Sequence, residues 1–250
     1  MTRRSRAVRG RSQPQHAELP TGRSNGPWLG VDGCRAGWVV AILGADGALE
    51  LALAPSVDAW LERPFEGAAL DMPIGLFSDG RARPRACDAE ARRRLGPRRA
   101  SVFTPPTRDM LGAHEHPPLG ARGLSIQAFH LLPKLAEVDA AIDPARQARV
   151  RETHPELAFA RLGGAPRPHT KKSAEGRADR RALLEGALPS ADATLDGFLA
   201  ATRRADVAID DVHDAVVLAL TARDAASGRA WRLPDDPPRD ARGLHMEIWG

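Results

Sequence analysis

The sequence predicts an α/β fold, a mixed five-stranded sheet flanked by helices with a helical, arginine-rich insertion, and three observations carry it. Three short apolar runs follow one another early in the chain, two of them joined by a strong turn signal, as in an antiparallel meander. A fourth run comes after a short helical stretch, so one strand returns by a crossover. The last third of the chain reads as successive helices. Strands and helices therefore mix without strict βαβ alternation, which points to a mixed sheet. The 250 residues are enough for one domain with a substantial core.

The elements follow in order. Trp28-Leu-Gly-Val-Asp-Gly33 reads as a strand ending in a carboxylate and a glycine. Trp38–Leu43 and Leu49–Leu53 are two more strands, and Asp46-Gly47 between them is a hairpin signal. Ser56 is placed to cap a short helix through Trp60 and Leu61. Ala68–Met72 is a buried strand that stops at Pro73. Residues 79–145 are read as an insertion packed over one edge of the sheet, with helices over Ala86–Leu95, closed by Gly96-Pro97, and over Gln127–Ile142, strained by Pro133. Val150–His154 makes the fifth strand, and a Gly/Pro loop with Lys171 and Lys172 follows. Helices are expected over Ala174–Leu184, over Asp192–Arg204 and around Asp211 and Asp214, with an edge strand over Gly243–Trp249.

Charge divides the chain. Residues 1–26 hold six arginines against Glu18, a net of +5, so the overall +4 leaves −1 for residues 27–250. The expected organisation is a basic, disordered tail over 1–26 and a single domain over 27–250. A basic tail holds nucleic acid electrostatically. No stretch approaches the roughly 18 apolar residues of a membrane span. No apolar region follows the twin arginines of Thr2-Arg-Arg-Ser-Arg6, and Cys34 and Cys87 have no metal-ligand spacing. These features predict a cytoplasmic protein with no membrane partner.

The residues that carry chemistry are carboxylates. Asp211 and Asp214 are three apart on a predicted helix and share a face beside Val216, Val217, Ala219 and Leu220. Asp32 and Asp71 each end an apolar run. One strand-end Asp alone is commonly a turn or cap residue, and Asp210 is assigned to capping. Four acids in this order suggest a cation site. All-oxygen donors without Cys or paired His suit Mg²⁺ or Mn²⁺. Within residues 81–99, eight arginines stand against only Asp88 and Glu90, a net of +6 that suits either a solvated helix face or, beside an acidic site, phosphate positioning.

With these residues in view, the chain resembles the ribonuclease H-like fold, and within it the RuvC-type resolvases, whose last two acids lie on a helix as Asp-x-x-Asp-Ala. Here that motif is Asp211-Val-His-Asp-Ala215, and Lys171–Asp179 is similar to the basic segment before that helix. More closely, residues 28–249 resemble a family known as domain of unknown function 429, described as predicted RNase H-like nucleases. Val31–Trp38, Leu70–Leu76, Cys87-Asp88 with Ala91-Arg92, Ser101–Phe103, His154-Pro-Glu156 and Asp211–Ala215 carry the resemblance. One departure is Asp71, where RuvC-type resolvases carry a glutamate.

The resemblance implies a Mg²⁺- or Mn²⁺-dependent nuclease acting on DNA or RNA. With six phenylalanines, five tryptophans and no tyrosine there is little for stacking single-stranded bases, so structured or small substrates are as expected as single strands. Asp32, Asp71, Asp211 and Asp214 would be catalytic and metal-binding, with Glu156 either a further ligand or the orienter of an arginine. Arg92, Arg99 and Lys172 are the expected phosphate contacts. His154 is read as a satisfied strand-end histidine. The alternative is a non-catalytic protein of the same fold that binds nucleic acid or nucleotide phosphate.

Overall fold

The computed structural model describes residues 26–250, so the tail expected over 1–26 lies outside the described residues apart from Gly26. Strands β1 (Trp28–Cys34), β2 (Gly37–Leu43) and β3 (Leu49–Ala54) form the expected antiparallel meander. Gly47 takes φ 85° in the second turn, a conformation costly for residues with a Cβ, and Asp46 Oδ1 accepts from Ala48 N. Helix α1 (Val57–Leu61) is capped by the Ser56 hydroxyl, which accepts from Ala59 N. β4 (Gly67–Leu70) follows.

The inserted region contributes α2 (Ala86–Leu95), α3 (His116–Ala121), α4 (Ile126–His130), α5 (Leu132–Ala141) and α6 (Pro144–Gln147). The single helix expected over Gln127–Ile142 is thus two. Pro133 lacks an N–H and sits in the first turn of α5, where none is needed, so the chain restarts its helix there. β5 (Val150–Glu152) leads into α7 (Pro155–Leu162), then α8 (Ala174–Ala187), α9 (Ala191–Ala201) and α10 (Ile209–Ala226). α7 replaces the front of the expected loop. Pro155 opens it in the first turn, and the His154 ring accepts from Glu156 N. The expected terminal strand is short: β6 (Arg232–Leu233) pairs with β7 (Ile248–Trp249) in a separate ladder, and only Trp249 bridges to Thr153 beyond β5.

The main sheet has the order β3-β2-β1-β4-β5, with β4 parallel to β1 and β5 parallel to β4. Its two faces are filled by different parts of the chain. Val39, Ala41, Leu43 and Ala69 face a core built with α7, α8, α9 and α10. Leu29, Val31, Trp38, Val40 and Leu70 face the other way, against Met110, Leu124, Leu132, Leu135 and Val138 of the insertion. The insertion, together with α1, therefore covers a face of the sheet rather than an edge. The cause is the alternation of central-strand side chains, apolar on both faces, so each face needs a cover.

Two features of this packing position the site. Val31 pairs with Leu70 across adjacent parallel strands, so the next residues, Asp32 and Asp71, emerge side by side, with Asp71 N donating to Val31 O. α10 lies directly on β1 because Gly30 has no side chain. A Cβ there would collide with the backbone of Ala215 and Ala219. That close approach brings the first turns of α10 to the end of β1 that carries Asp32.

Candidate active site

A cavity of about 350 Å³ opens at the C-terminal ends of β1 and β4. Asp32, Asp71, Asp211 and Asp214 line it together, so the four acids expected from the sequence do converge. Asp32 and Asp214 are buried, while Asp71 and Asp211 are partly exposed. Lys171, Lys172, Arg98 and Thr170 line the cavity as well, and Met72, Phe103 and Leu131 supply apolar wall.

The acids differ in how they are held. Asp32 Oδ1 accepts from Gly33 N at 2.9 Å. Asp211 Oδ2 accepts from Ala208 N at 2.9 Å, so Asp211 rather than Asp210 ties the start of α10, since Ala208 is the residue that precedes its first turn. Asp210 lies instead 3.5 Å from the Lys171 ammonium. Asp214 Oδ2 accepts from Lys171 Nζ at 2.5 Å, and its other oxygen is buried without a partner.

Electrostatics follow from that crowding. Burial raises the Asp32 carboxyl well above its ordinary value, and the neighbouring Asp71 and Asp214 raise it further. Burial likewise raises Asp71, against the opposing pull of His154 and Lys171, and raises Asp211. Asp214 is pushed up to about 7, by burial first, with Lys171 opposing and Asp71 adding to the rise. The same carboxylates hold Lys171 charged despite its burial, moving it upward. Among the four acids Lys171 pairs directly only with Asp214, so their mutual repulsion is only partly offset.

A pH prediction follows for the metal-free protein. The folded-state pKa of Asp214 lies above its unfolded value near 3.8, so its contribution to stability is full below about 4 and is lost as pH rises toward 7. Asp214→Asn removes that loss. The melting temperature of the variant relative to the parent should therefore climb between pH 4 and pH 8, as measured by thermal denaturation across that range. A constant difference would contradict the assignment.

Among the described residues, no three His, Cys, Asp or Glu side chains are arranged to grip one ion as they stand. The Lys171 ammonium stands among the carboxylates instead. The donor set nevertheless fits a hard divalent cation: the ligands are all carboxylate oxygens, Asp214 Oδ1 has no partner, and burial with mutual repulsion disfavours their ionised forms until more positive charge arrives.

The remaining expected residues are placed as follows. Glu156 lines the cavity, but its Oε1 accepts from Arg180 at 2.7 Å and from Arg98 at 3.1 Å, so its charge is matched by two arginines and it orients Arg98. Lys172 lines the cavity and is exposed. Arg92 does not line it. Its guanidinium donates to Val102 O and Thr104 Oγ1, tying down the segment after α2. Arg99 is exposed and is not a wall residue either. His154 has both ring nitrogens engaged, with Ser101 O and Glu156 N. Burial pushes the Cys34 and Cys87 thiols up, so neither is a ready thiolate.

Two cavity residues escaped the sequence reading. Arg98 takes the position expected of Arg99, and Lys171 lines the cavity beside the expected Lys172; adjacent residues of one type carry no signal that separates them. Behind the site, Arg85 is fully buried and joins Asp88 at 2.7 Å and Glu152 at 2.5 Å, while also donating to Ile74 O and Gly75 O. Glu152 in turn accepts from Ile74 N at 2.7 Å, so this cluster fixes the segment just after Asp71.

A family model described as "Protein of unknown function (DUF429)" matches residues 30–239. No curated protein and no solved structure matches the chain.

Proposed function

We propose, from the site itself, that this member of the DUF429 family is a divalent-metal-dependent nuclease of the RNase H-like type. The carrying observation is the convergence of Asp32 and Asp71, ending adjacent parallel strands, with Asp211 and Asp214 on the helix laid across β1. The strand order β3-β2-β1-β4-β5, three antiparallel strands followed by two parallel ones, supports the fold half of that reading.

Asp32, Asp71 and Asp214 would hold Mg²⁺ or Mn²⁺, with Asp211 completing the set. Bound there, the cation would supply Lewis acidity and a more acidic bound water. The chain's own residues do the rest. Lys172 and Arg98 flank the acids in the same cavity and bind the phosphate of DNA or RNA. Glu156 and Arg180 keep Arg98 extended toward it. Met72, Phe103 and Leu131 offer apolar surface to a sugar or base and exclude water from that side. Two buried free thiols suit a reducing compartment such as the cytoplasm, and among the described residues no helix is long and apolar enough to cross a membrane.

One observation favours a second reading. The Lys171 ammonium already pairs with Asp214, which suits a non-catalytic protein that binds nucleic acid or nucleotide phosphate without a metal. Incubation of the purified protein with labelled single-stranded, duplex and branched DNA and RNA separates the two. The nuclease reading expects cleavage with Mn²⁺ that chelation stops. Retention of these substrates without cleavage, equal with and without Mn²⁺, would overturn it in favour of the second.

A further inference from the structure

A second cavity, of about 410 Å³, lies between α8, α9, the segment 202–207 and the start of α10. It uses a different face of α10 from the acidic site. Ile209 and His213 line it, four residues apart, whereas Asp211 and Asp214 point elsewhere. Leu199 and Val207 form apolar wall. His213 is only 2% exposed, and neither ring nitrogen has a hydrogen-bond partner. An imidazole carries at least one N–H in either tautomer, and a buried donor left unpaired is costly. Such a group in a cavity wall is explained by an occupant that completes its hydrogen bonds.

The charge of the wall indicates what that occupant carries. Arg181 is saturated by Glu185, Asp192 and Asp196, which also neutralises Asp196, the one acid in the wall. Arg177 donates from Nη1 to Lys172 O, and Arg204 is exposed. Among the described residues neither Arg177 nor Arg204 has a carboxylate partner, so the wall keeps two uncompensated guanidinium groups. Guanidinium groups recognise planar or tetrahedral oxyanions through paired N–H donors.

We propose that this cavity binds a small organic anion, its apolar body against Leu199 and Val207, a polar atom on His213, and its phosphate or carboxylate head on Arg177 and Arg204. The inference does not depend on the nuclease reading.

The test uses the full chain and two probes, phenyl phosphate and benzoate, with inorganic phosphate and benzyl alcohol as the separate head and body. Calorimetry should show binding of at least one probe, and which one binds identifies the head. Arg204→Ala, a change at an exposed position, should weaken that binding tenfold or more. The His213 ring resonances should shift on titration. Arg98→Ala, in the other cavity, should leave the affinity unchanged. Failure of both probes to bind overturns the proposal, as does loss of binding in Arg98→Ala, which would move the probe to the acidic site. Inorganic phosphate binding as tightly as phenyl phosphate overturns the role of the apolar wall.

Discussion

Asp32→Asn is expected to abolish Mn²⁺-dependent cleavage and, at the same time, to raise the melting temperature of the metal-free protein. Loss of a carboxylate from the proposed metal site would forfeit several kcal/mol of transition-state stabilisation, about a thousandfold in rate or more. The stability gain has a separate cause. Asp32 is buried next to Asp71 and Asp214, and its ionised form is disfavoured by both burial and repulsion. Asparagine is nearly isosteric, keeps an oxygen for Gly33 N, and removes a like charge from the cluster. A gain of a few degrees is the expected scale for roughly 1 kcal/mol in a domain of this size. Such an inverse relation between activity and stability marks a strained functional site. A variant that retains activity, or that melts lower without metal, would contradict the account.

Arg85→Met is expected to cost more stability than any substitution in the acidic cavity. The guanidinium is fully buried and is held by Asp88 and Glu152, with further donation to Ile74 O and Gly75 O. Removing one partner of a buried ionic cluster leaves the others uncompensated, which costs about 3–5 kcal/mol. For a chain of this length that is a fall of about 10 °C in melting temperature. The partners then favour protonation: burial already pushes Glu152 up to about 7 against the opposing pull of Arg85. Adding Glu152→Gln and Asp88→Asn to Arg85→Met should recover part of the loss, because neutral amides replace the abandoned charges. Thermal and urea denaturation of the three proteins read this directly. A fall within a degree, or no recovery in the triple variant, would show that the cluster is not the anchor of the segment after Asp71.

Much of the frame was legible before any coordinates, and the reasons are local. Asp46-Gly47 dictates a turn that few other residues tolerate, and alternating apolar runs declare the strands around it. Asp32 and Asp71 could be placed because each follows a strand whose partner is set by the sheet, so the ends meet. The misses are tertiary. α7 was hidden because Pro155 reads equally as a loop residue and as the first turn of a helix. The division between α4 and α5 came from the same ambiguity at Pro133. The sequence places the insertion on an edge because its short helices bury scattered residues, such as Met110 and Leu124, whose common partner face exists only in the folded chain. Arginine roles were the least legible: Arg85 meets Glu152 67 residues away, and Arg98 meets Glu156 58 residues away. Nothing in a run of arginines says which one turns inward.

The proposed divalent-cation site, where Lys171 now stands, is open to an anomalous difference map from crystals grown with Mn²⁺. A manganese peak is expected among Asp32, Asp71 and Asp214, with the Lys171 ammonium moved off Asp214. No peak there, with Lys171 still paired to Asp214, would contradict it.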